Sequence, residues 1–176
     1  VRIIADFSNT PADLLRDNLH VAFRSTELGS QPYLARPIAV DDLVLCASAD
    51  YLDRHPPLSE PQDLQQHPLI TRCQEYSRHE CWTLLAQGRE IPLEVAGELA
   101  FSSKKAIHQA MRQGLGIARL PRYLVAAELA EGVVREVLPD YRPKGTGFYA
   151  LYTQRRAESA LVGHFLDYVI EALTPS

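Results

Sequence analysis

The pattern of apolar and polar positions is clearest in residues 97–121, where it predicts a strand, a helix and a second strand in close succession. Residues 98–101 suit the first strand and residues 116–120 suit the second. Between them, apolar residues recur at the spacing of one buried helical face, namely Ala106, Ile107, Ala110 and Met111. Gly114 fits the left-handed position that commonly ends a helix.

The start of this helix is the first candidate functional feature. Ser102 or Ser103 is expected to cap the helix, because a serine oxygen accepts hydrogen bonds from the free amides of a first turn. In open α/β sheets, small ligands bind where such a helix begins at the carboxyl end of a strand. Lys104 and Lys105 follow the cap, against the direction of the helix dipole. They indicate either a site that attracts an anion or two solvated lysines on the outer face.

Strand-like and helix-like patterns alternate along the rest of the chain. The predicted strands are 1–7, 19–23, 34–40, 43–47, 69–72, 133–138 and 148–153, with a hairpin that joins 82–85 to 90–95 around Gln87 and Gly88. The predicted helices are 10–18, 48–52, 59–67, 121–131 and a last helix with Leu161, Phe165, Leu166, Val169, Ile170 and Leu173 on one face. Asp41 and Asp42 are expected in a solvated turn. The alternation predicts an α/β fold with mostly parallel strand pairing.

Composition narrows the class of protein. The 176 residues allow one domain or two small lobes, and 46% of them are hydrophobic and 23% charged, as in globular proteins. The net charge is −4, and no run of Lys or Arg suggests a nucleic-acid face. No apolar run is long enough to span a bilayer. Three cysteines and no signal-peptide pattern favour a reducing, cytoplasmic compartment.

The cysteines and histidines give little support for metal or nucleophile chemistry. The possible metal-binding residues His67, Cys73, His79 and Cys81 match no standard zinc spacing. Cys46 lies in an apolar strand and is expected to be a small buried hydrophobic residue. No nucleophile elbow or comparable motif is present, so we expect neither a cofactor, nor a metal, nor an enzyme.

An ordered set of short motifs resembles one family. The set is DNLHVAFR at 17–24, VLCASADYLDRH at 44–55, DLQQHPLI at 63–70, the Trp-containing hairpin at 82–96, GLGIARLP at 114–121 and YALYTQRR at 149–156. Together they resemble the effector-binding domain of LysR-type transcriptional regulators, in particular the CrgA-like branch. The resemblance implies a fold like a type 2 periplasmic binding protein, with two Rossmann-like lobes and a small-molecule cleft between them. Lobe I is then expected at 1–44 plus 148–176, and lobe II at 45–147.

The sequence also departs from the family pattern. Family members place a strand and a helix before the strand that matches 1–7, and a winged helix-turn-helix and a linker helix precede these. None of these matches a segment of the 176 residues. Lobe I is therefore expected to lack its first strand and helix and to be less stable by itself. The resemblance implies that the protein contacts DNA only through the absent winged helix-turn-helix.

The resemblance also selects candidate effector-binding residues. Arg24 and Ser25 end the strand in DNLHVAFR, and an arginine can hold a carboxylate through two parallel hydrogen bonds. Phe101, Ser102 and Ser103 lie at the helix N-terminus, which the family places in the cleft. The alternatives are a salt-bridged surface Arg24 and a core Phe101. These five residues suit a small, anionic effector.

The implied function is effector sensing for a DNA-binding regulator. An effector that prefers one arrangement of the lobes would bias a homodimer or homotetramer by a shift of population. Residues 1–7, the helix at Pro11 and the helix at Lys104 are the expected dimer surface, which would also explain Lys104 and Lys105. The alternatives are a periplasmic solute-binding protein of a transport system, which needs a signal peptide, and an enzyme on the same fold.

Overall fold

A computed structural model describes residues 2–7, 13–25, 32–73, 76–153 and 159–173. The chain divides into two compact units. Unit 1 comprises Val1–Asp41 and Thr146–Ser176, and unit 2 comprises Asp42–Gly145. The chain therefore leaves unit 1 after residue 41 and returns to it at residue 146. The assignment of these units to the two lobes of the family, and the absence of elements from lobe I, remain predictions.

Unit 1 is built on a small antiparallel sheet. Its strands are β1 (Ala22–Ser25), β2 (Leu34–Asp41) and β11 (Thr146–Tyr152), in the order β1-β11-β2. The last helix, α4 (Ala160–Leu173), contributes Val162 and Leu166 to a buried cluster with Ala150 of β11. The predicted apolar face of this helix is partly wrong, because Leu161 and Leu173 are each 52% exposed and the buried face runs through Val162 instead.

Unit 2 contains a mixed five-stranded sheet. Its strands are β3 (Leu43–Ser48), β4 (Leu69–Arg72), β7 (Leu99–Phe101), β8 (Ile117–Pro121) and β9 (Val134–Glu136), in the order β7-β4-β8-β3-β9. The helices are α1 (Ala49–Leu52), a 3₁₀ helix (Pro61–Gln66), α2 (Lys104–Arg112) and α3 (Arg122–Glu131). Strand β4 pairs in parallel with β7 and β8, and β3 pairs antiparallel with β8 and β9. The prediction of mostly parallel pairing is therefore wrong.

A second, smaller sheet in unit 2 confirms the predicted hairpin. Strands β5 (His79–Ala86) and β6 (Arg89–Ala96) are joined by Gln87 and Gly88, whose φ angles are 51° and 75°. Two positive φ angles are the mark of the tight turn that suits the twist of a hairpin. The short strand β10 (Arg142–Pro143) pairs with β5, so β6 is an outer strand of this sheet.

The five-stranded sheet is covered on both faces. On one face, Leu45, Ile117 and the hairpin residues Trp82 and Leu84 belong to one buried cluster, which we call the hairpin-side core. On the other face, Ile70, Met111 and Val125 belong to a second cluster, the helix-side core, which includes residues of α2 and α3. Strand β3 supplies both cores from alternate positions and is buried along its whole length. Its Cys46 is fully buried as predicted, and burial raises the pKa of this thiol to about 12.

The expected buried strand at 1–7 is wrong for its described residues, 2–7. They form no regular element, and Ile4 and Phe7 are 91% and 94% exposed. A strand exists only where a neighbour accepts its backbone hydrogen bonds, and no described residue pairs with this segment. An apolar run indicates that a segment needs burial but does not supply the neighbour.

Two local predictions need correction. The start of the helix predicted at 10–18, including Pro11, lies outside the described residues. Asp13 accepts hydrogen bonds from the backbone N–H groups of Leu15 and Arg16, and residues 14–18 form turns. Asp41 is the last residue of β2 and accepts a hydrogen bond from the Ser25 hydroxyl at 2.9 Å. Asp42 pairs with Arg122 at 2.8 Å. Asp41 therefore belongs to a strand and not to a turn, whereas Asp42 is exposed to solvent as expected.

Candidate functional site

The junction of β7 and α2 places a helix N-terminus at the carboxyl end of a strand, as predicted. Strand β7 ends at Phe101, Ser103 is the N-cap residue, and the helix begins at Lys104. The hydroxyl of Ser103 makes no capping hydrogen bond, so the expected side-chain cap is wrong although the position is right. The first turn contains no acidic residue. First-turn amides without a side-chain acceptor are available to an anion.

The residues around this junction have different exposures. Ser102 is exposed, Ser103 is half-buried, and Phe101 is half-buried against the helix-side core. Phe101 therefore has the core role that the sequence left open, and its backbone carbonyl accepts from the Cys73 amide at 3.0 Å. Lys105 is exposed, as the solvated alternative expects. The serines and the helix amides are thus among the polar groups that this edge presents.

The end of helix α2 is fixed by two glycines. Gly114 has a φ of 73°, which confirms the predicted left-handed position. Gly116 has a φ of 145°, and a Cβ atom there would lie 2.3 Å from the carbonyl oxygen of Pro68. Only glycine allows this close approach of β8 to the segment before β4. These contacts hold β4, β8 and α2 in register, so Gly116 has a structural role.

Comparisons with known proteins agree with this architecture. The family model described as the LysR substrate binding domain matches residues 1–174. The chain belongs to the LysR substrate-binding domain family. The uncharacterized HTH-type transcriptional regulator YhjC of Escherichia coli is 30% identical over 160 residues, which cover 90% of this chain and 54% of that protein. The chain spans about half the length of the curated relatives that it matches.

Solved structures show the same fold. The full-length structure of AphB, a virulence activator of Vibrio cholerae, aligns with a TM-score of 0.76 at 28% identity, over 95% of this chain and 56% of that one. The LysR-type regulator CrgA of Neisseria meningitidis aligns with a TM-score of 0.78 at 24% identity, over 92% of this chain and 55% of that one, and supports the fold alone. The predicted fold class and family are confirmed. YhjC and AphB are regulators, which supports a regulatory domain over a transport protein.

The LysR-type domain has its other candidate residues in unit 1. Arg24 lies in β1, half-buried, and is paired in register with Tyr149 of β11. Ser25 ends β1 and donates its hydroxyl hydrogen to Asp41. Arg24 and Ser25 belong to unit 1, whereas Phe101, Ser102 and Ser103 belong to unit 2. Each set is therefore a candidate within its own unit, and the assignment of all five residues to an effector remains a prediction.

The structure places one further cationic residue at the junction of β7 and α2, which the sequence analysis did not identify. Arg72 is the last residue of β4, and the parallel register places it level with Phe101. Alternation along β4 puts Arg72 on the same face as Ile70, which belongs to the helix-side core. The sequence contained a signal for the position of Arg72, because a strand was predicted at 69–72. Pairing it in parallel with the strand at 98–101 would have brought Arg72 to the edge where α2 begins.

A network of polar contacts holds β4 and the hairpin together behind this edge. Glu80 of β5 forms an ion pair with Arg119 of β8 and accepts from the backbone N–H of Arg72 at 3.1 Å. The guanidinium carbon of Arg119 also lies 5.8 Å from the centre of the Trp82 ring. These contacts fix the position of Arg72.

Neither a metal centre nor a membrane span was found in the described part of the chain. Across residues 2–7, 13–25, 32–73, 76–153 and 159–173, no group of three His, Cys, Asp or Glu side chains is placed to hold a metal ion. Within the same ranges, every helix is too short or too polar to cross a bilayer.

Proposed function

We propose that the effector of this LysR-type domain is a small anionic molecule. The observation that carries the proposal is the start of α2, where the Ser103 hydroxyl makes no cap and the first turn has no acidic residue. The helix dipole and the first-turn amides favour an anion at this place. Arg72, level with Phe101 on the adjacent parallel strand, adds a cation to the same edge.

Each unit has its own set of proposed contacts. In unit 2, the Ser102 and Ser103 hydroxyls and the first-turn amides bind the anionic group, and Phe101 supports them from the core side. In unit 1, Arg24 binds a carboxylate and Ser25 contributes its hydroxyl. An effector that binds one arrangement of the protein better than another shifts the population toward that arrangement. We assign the sensing step of the regulator to this shift.

The wider functions of the whole protein are also part of the proposal. The chain acts as a homodimer or homotetramer in the cytoplasm, with α2 and the segments at 1–7 and Pro11 in the dimer surface. Contact with DNA belongs to a helix-turn-helix segment outside the 176 residues. The chain carries out no catalysis of its own. The relatives YhjC, LtrA and PtxR are named HTH-type transcriptional regulators, LtrA as a probable one, and TtdR is named an HTH-type transcriptional activator, which supports these assignments.

The experiment is a thermal-shift screen of the purified protein against small carboxylates and phosphorylated compounds, followed by calorimetry of each compound that binds. The key variant is Ser103→Asp, which places a carboxylate on the same amides. We expect it to weaken anion binding by about tenfold or more and to stabilise the helix by about 0.5–1 kcal/mol. These opposite effects separate occupation of the site from misfolding.

Gln109→Glu is the matched control, because it adds the same charge to an exposed position of α2 more than a turn from its start. We expect this variant to bind anions as the parent protein does. Equal affinity of the parent and Ser103→Asp for every anion that binds would reject the start of α2 as the site. A screen in which cations or neutral molecules bind and anions do not would reject the anionic effector.

A further inference from the structure

The two faces of the sheet in unit 1 differ in how far they are covered. Ala150 of β11 is buried in one cluster with Val162 and Leu166 of α4, so every second residue of β11 points toward this helix. Tyr149 and Leu151 therefore point to the opposite face. Leu151 is only 4% exposed, whereas Tyr149 is half-buried, so the cover over this opposite face ends between the two residues.

Three side chains form a row across this opposite face. The register pairs Tyr149 with Arg24 of β1 on one side and with Pro37 of β2 on the other. Residues directly opposite each other in antiparallel strands point to the same face, with Cβ atoms about 4.5–5.5 Å apart. The ring of Phe23, the neighbour of Arg24, lies 6.3 Å from the ring of Phe165 in α4, which agrees with Arg24 pointing away from that helix. The row therefore consists of a guanidinium, an aromatic ring and a proline ring.

Gly147 determines where the ring of Tyr149 can lie. The two residues are two positions apart in β11 and so share a face. A Cβ atom at Gly147 would lie 2.6 Å from the Cζ atom of Tyr149, so the tyrosine ring occupies the space that a side chain at 147 would fill. Val40, the β2 partner of Gly147, is 70% exposed and extends the apolar surface beside this ring. Within the described part of the chain, the Tyr149 hydroxyl has no hydrogen-bond partner.

This row has the chemistry to bind one class of anion better than others. A planar guanidinium can hold a carboxylate through two parallel hydrogen bonds. Neighbouring strands are about 4.8 Å apart, and aromatic rings pack with their centres about 4.5–7 Å apart. A ring attached to a carboxylate at Arg24 can therefore reach Tyr149 and then Pro37. An aliphatic acid would meet Arg24 equally well but would gain less from the tyrosine ring.

We propose that Tyr149 is a specificity-determining residue of the effector site, which selects a carboxylate attached to an aromatic ring. The proposal rests on the proposed function, in which Arg24 binds a carboxylate, and it names the class of that anion. The ring of the ligand packs on Tyr149 and Pro37, and the Tyr149 hydroxyl binds a polar substituent of that ring. Gly147 is a positioning residue that acts through Tyr149.

The test compares benzoate with cyclohexanecarboxylate, which has the same charge without the aromatic ring, and with benzamide, which has the ring without the charge. Each is titrated calorimetrically into the purified protein at neutral pH and low salt. We expect cyclohexanecarboxylate to bind about three- to tenfold more weakly than benzoate, because an aromatic pair is lost. Benzamide should bind at least about tenfold more weakly, because it cannot form charge-assisted hydrogen bonds. Equal affinity for the two carboxylates overturns the proposal.

Four variants locate the preference. Tyr149→Leu should abolish the preference for benzoate over cyclohexanecarboxylate, and Tyr149→Phe should keep it. Gly147→Ala should weaken benzoate binding by about three- to tenfold in the parent protein and have no further effect in Tyr149→Leu, because its added methyl group acts by displacing the ring. Tyr168→Leu, at a position of α4 that is 70% exposed, is the matched control and should leave both affinities unchanged.

Failure of this inference and failure of the proposed function give different results. A preference for benzoate that persists in Tyr149→Leu, or an equal effect of Gly147→Ala with and without the Tyr149 ring, would reject the role of Tyr149 and leave carboxylate binding at Arg24 standing. Arg24→Gln should weaken both carboxylates alike by about tenfold, since it removes the charge that they share. If neither carboxylate binds the parent protein, the inference is rejected together with the proposed role of Arg24.

Discussion

The two units differ in how completely they cover their apolar side chains. Unit 2 has a buried core on each face of a five-stranded sheet, whereas the buried cluster of unit 1 consists of Ala150, Val162 and Leu166 beside a three-stranded sheet. Ile4 and Phe7 of unit 1 remain almost fully exposed. Hydrophobic stabilisation follows the apolar area removed from water, so most of it belongs to unit 2. A larger structural tolerance is therefore expected in unit 1.

The largest expected effect is the loss of a core side chain from unit 2. Ile117 is fully buried in the hairpin-side core, and Ile117→Ala should lower the free energy of unfolding by about 2–5 kcal/mol. Leu161→Ala in unit 1 affects a residue that is 52% exposed, and should change the free energy of unfolding by less than about 0.5 kcal/mol. Urea unfolding, with hydrogen exchange followed separately in peptides of each unit, measures both. Equal losses of stability in the two variants would contradict the conclusion that most hydrophobic stabilisation belongs to unit 2.

Replacing one glycine by alanine in each unit should change the stability of the protein in opposite directions. Gly116→Ala in unit 2 forces a Cβ atom against the Pro68 carbonyl at a φ of 145°, and should cost at least about 2 kcal/mol. Gly163→Ala in unit 1 adds a methyl group in α4 with no atom within 4 Å, and should stabilise the protein by about 0.5–1 kcal/mol. The shifts in melting temperature should therefore point in opposite directions. A stable Gly116→Ala protein would show that β8 can move away from Pro68.

Ion pairs should follow the same division. Glu80 and Arg119 in unit 2 have side chains only 16% and 20% exposed, and Glu80→Ala also removes the acceptor of the Arg72 amide. We expect a loss of about 2 kcal/mol. Asp167→Ala breaks the 2.8 Å pair with Arg36 in unit 1, where the side chains are 63% and 38% exposed, and should cost less than about 0.5 kcal/mol. Added salt should weaken the unit 1 pair first, and chemical unfolding at two salt concentrations would show it.

The sequence predicted the parts of the fold that depend on neighbouring residues. The hairpin at Gln87, the helix end at Gly114 and the helix at 48–52, which Ser48 caps in the structure, were all predicted, because turn chemistry and capping act within a few residues. The burial of residues 2–7 and the direction of strand pairing were predicted wrongly. Both depend on which distant segment lies alongside, and an apolar pattern contains no information about that partner.

The candidate site divides in the same way. The helix start at Ser103 was predicted from local signals, although the expected side-chain cap was not found. Arg72 was missed because its place depends on the parallel pairing of β4 with β7. Interactions that join elements far apart in sequence were thus the main source of error.

The smallest expected effect tests the burial of His67 through pH. Burial is the main cause that lowers its pKa below the ordinary value of 6.5, and the nearby His55 lowers it further, while Asp63 raises it in part. Between the ordinary and the lowered pKa of His67, the unfolded chain binds more protons than the folded one. The stability that neutral His67 contributes is therefore present above about pH 6.5 and is lost as pH falls through the lowered pKa. His67→Asn should make the stability of unit 2 less sensitive to pH between about 7 and 5. His164→Asn, at an exposed position in unit 1, is the matched control for urea unfolding at each pH. An unchanged slope in His67→Asn would show that the His67 ring is solvated in the folded protein.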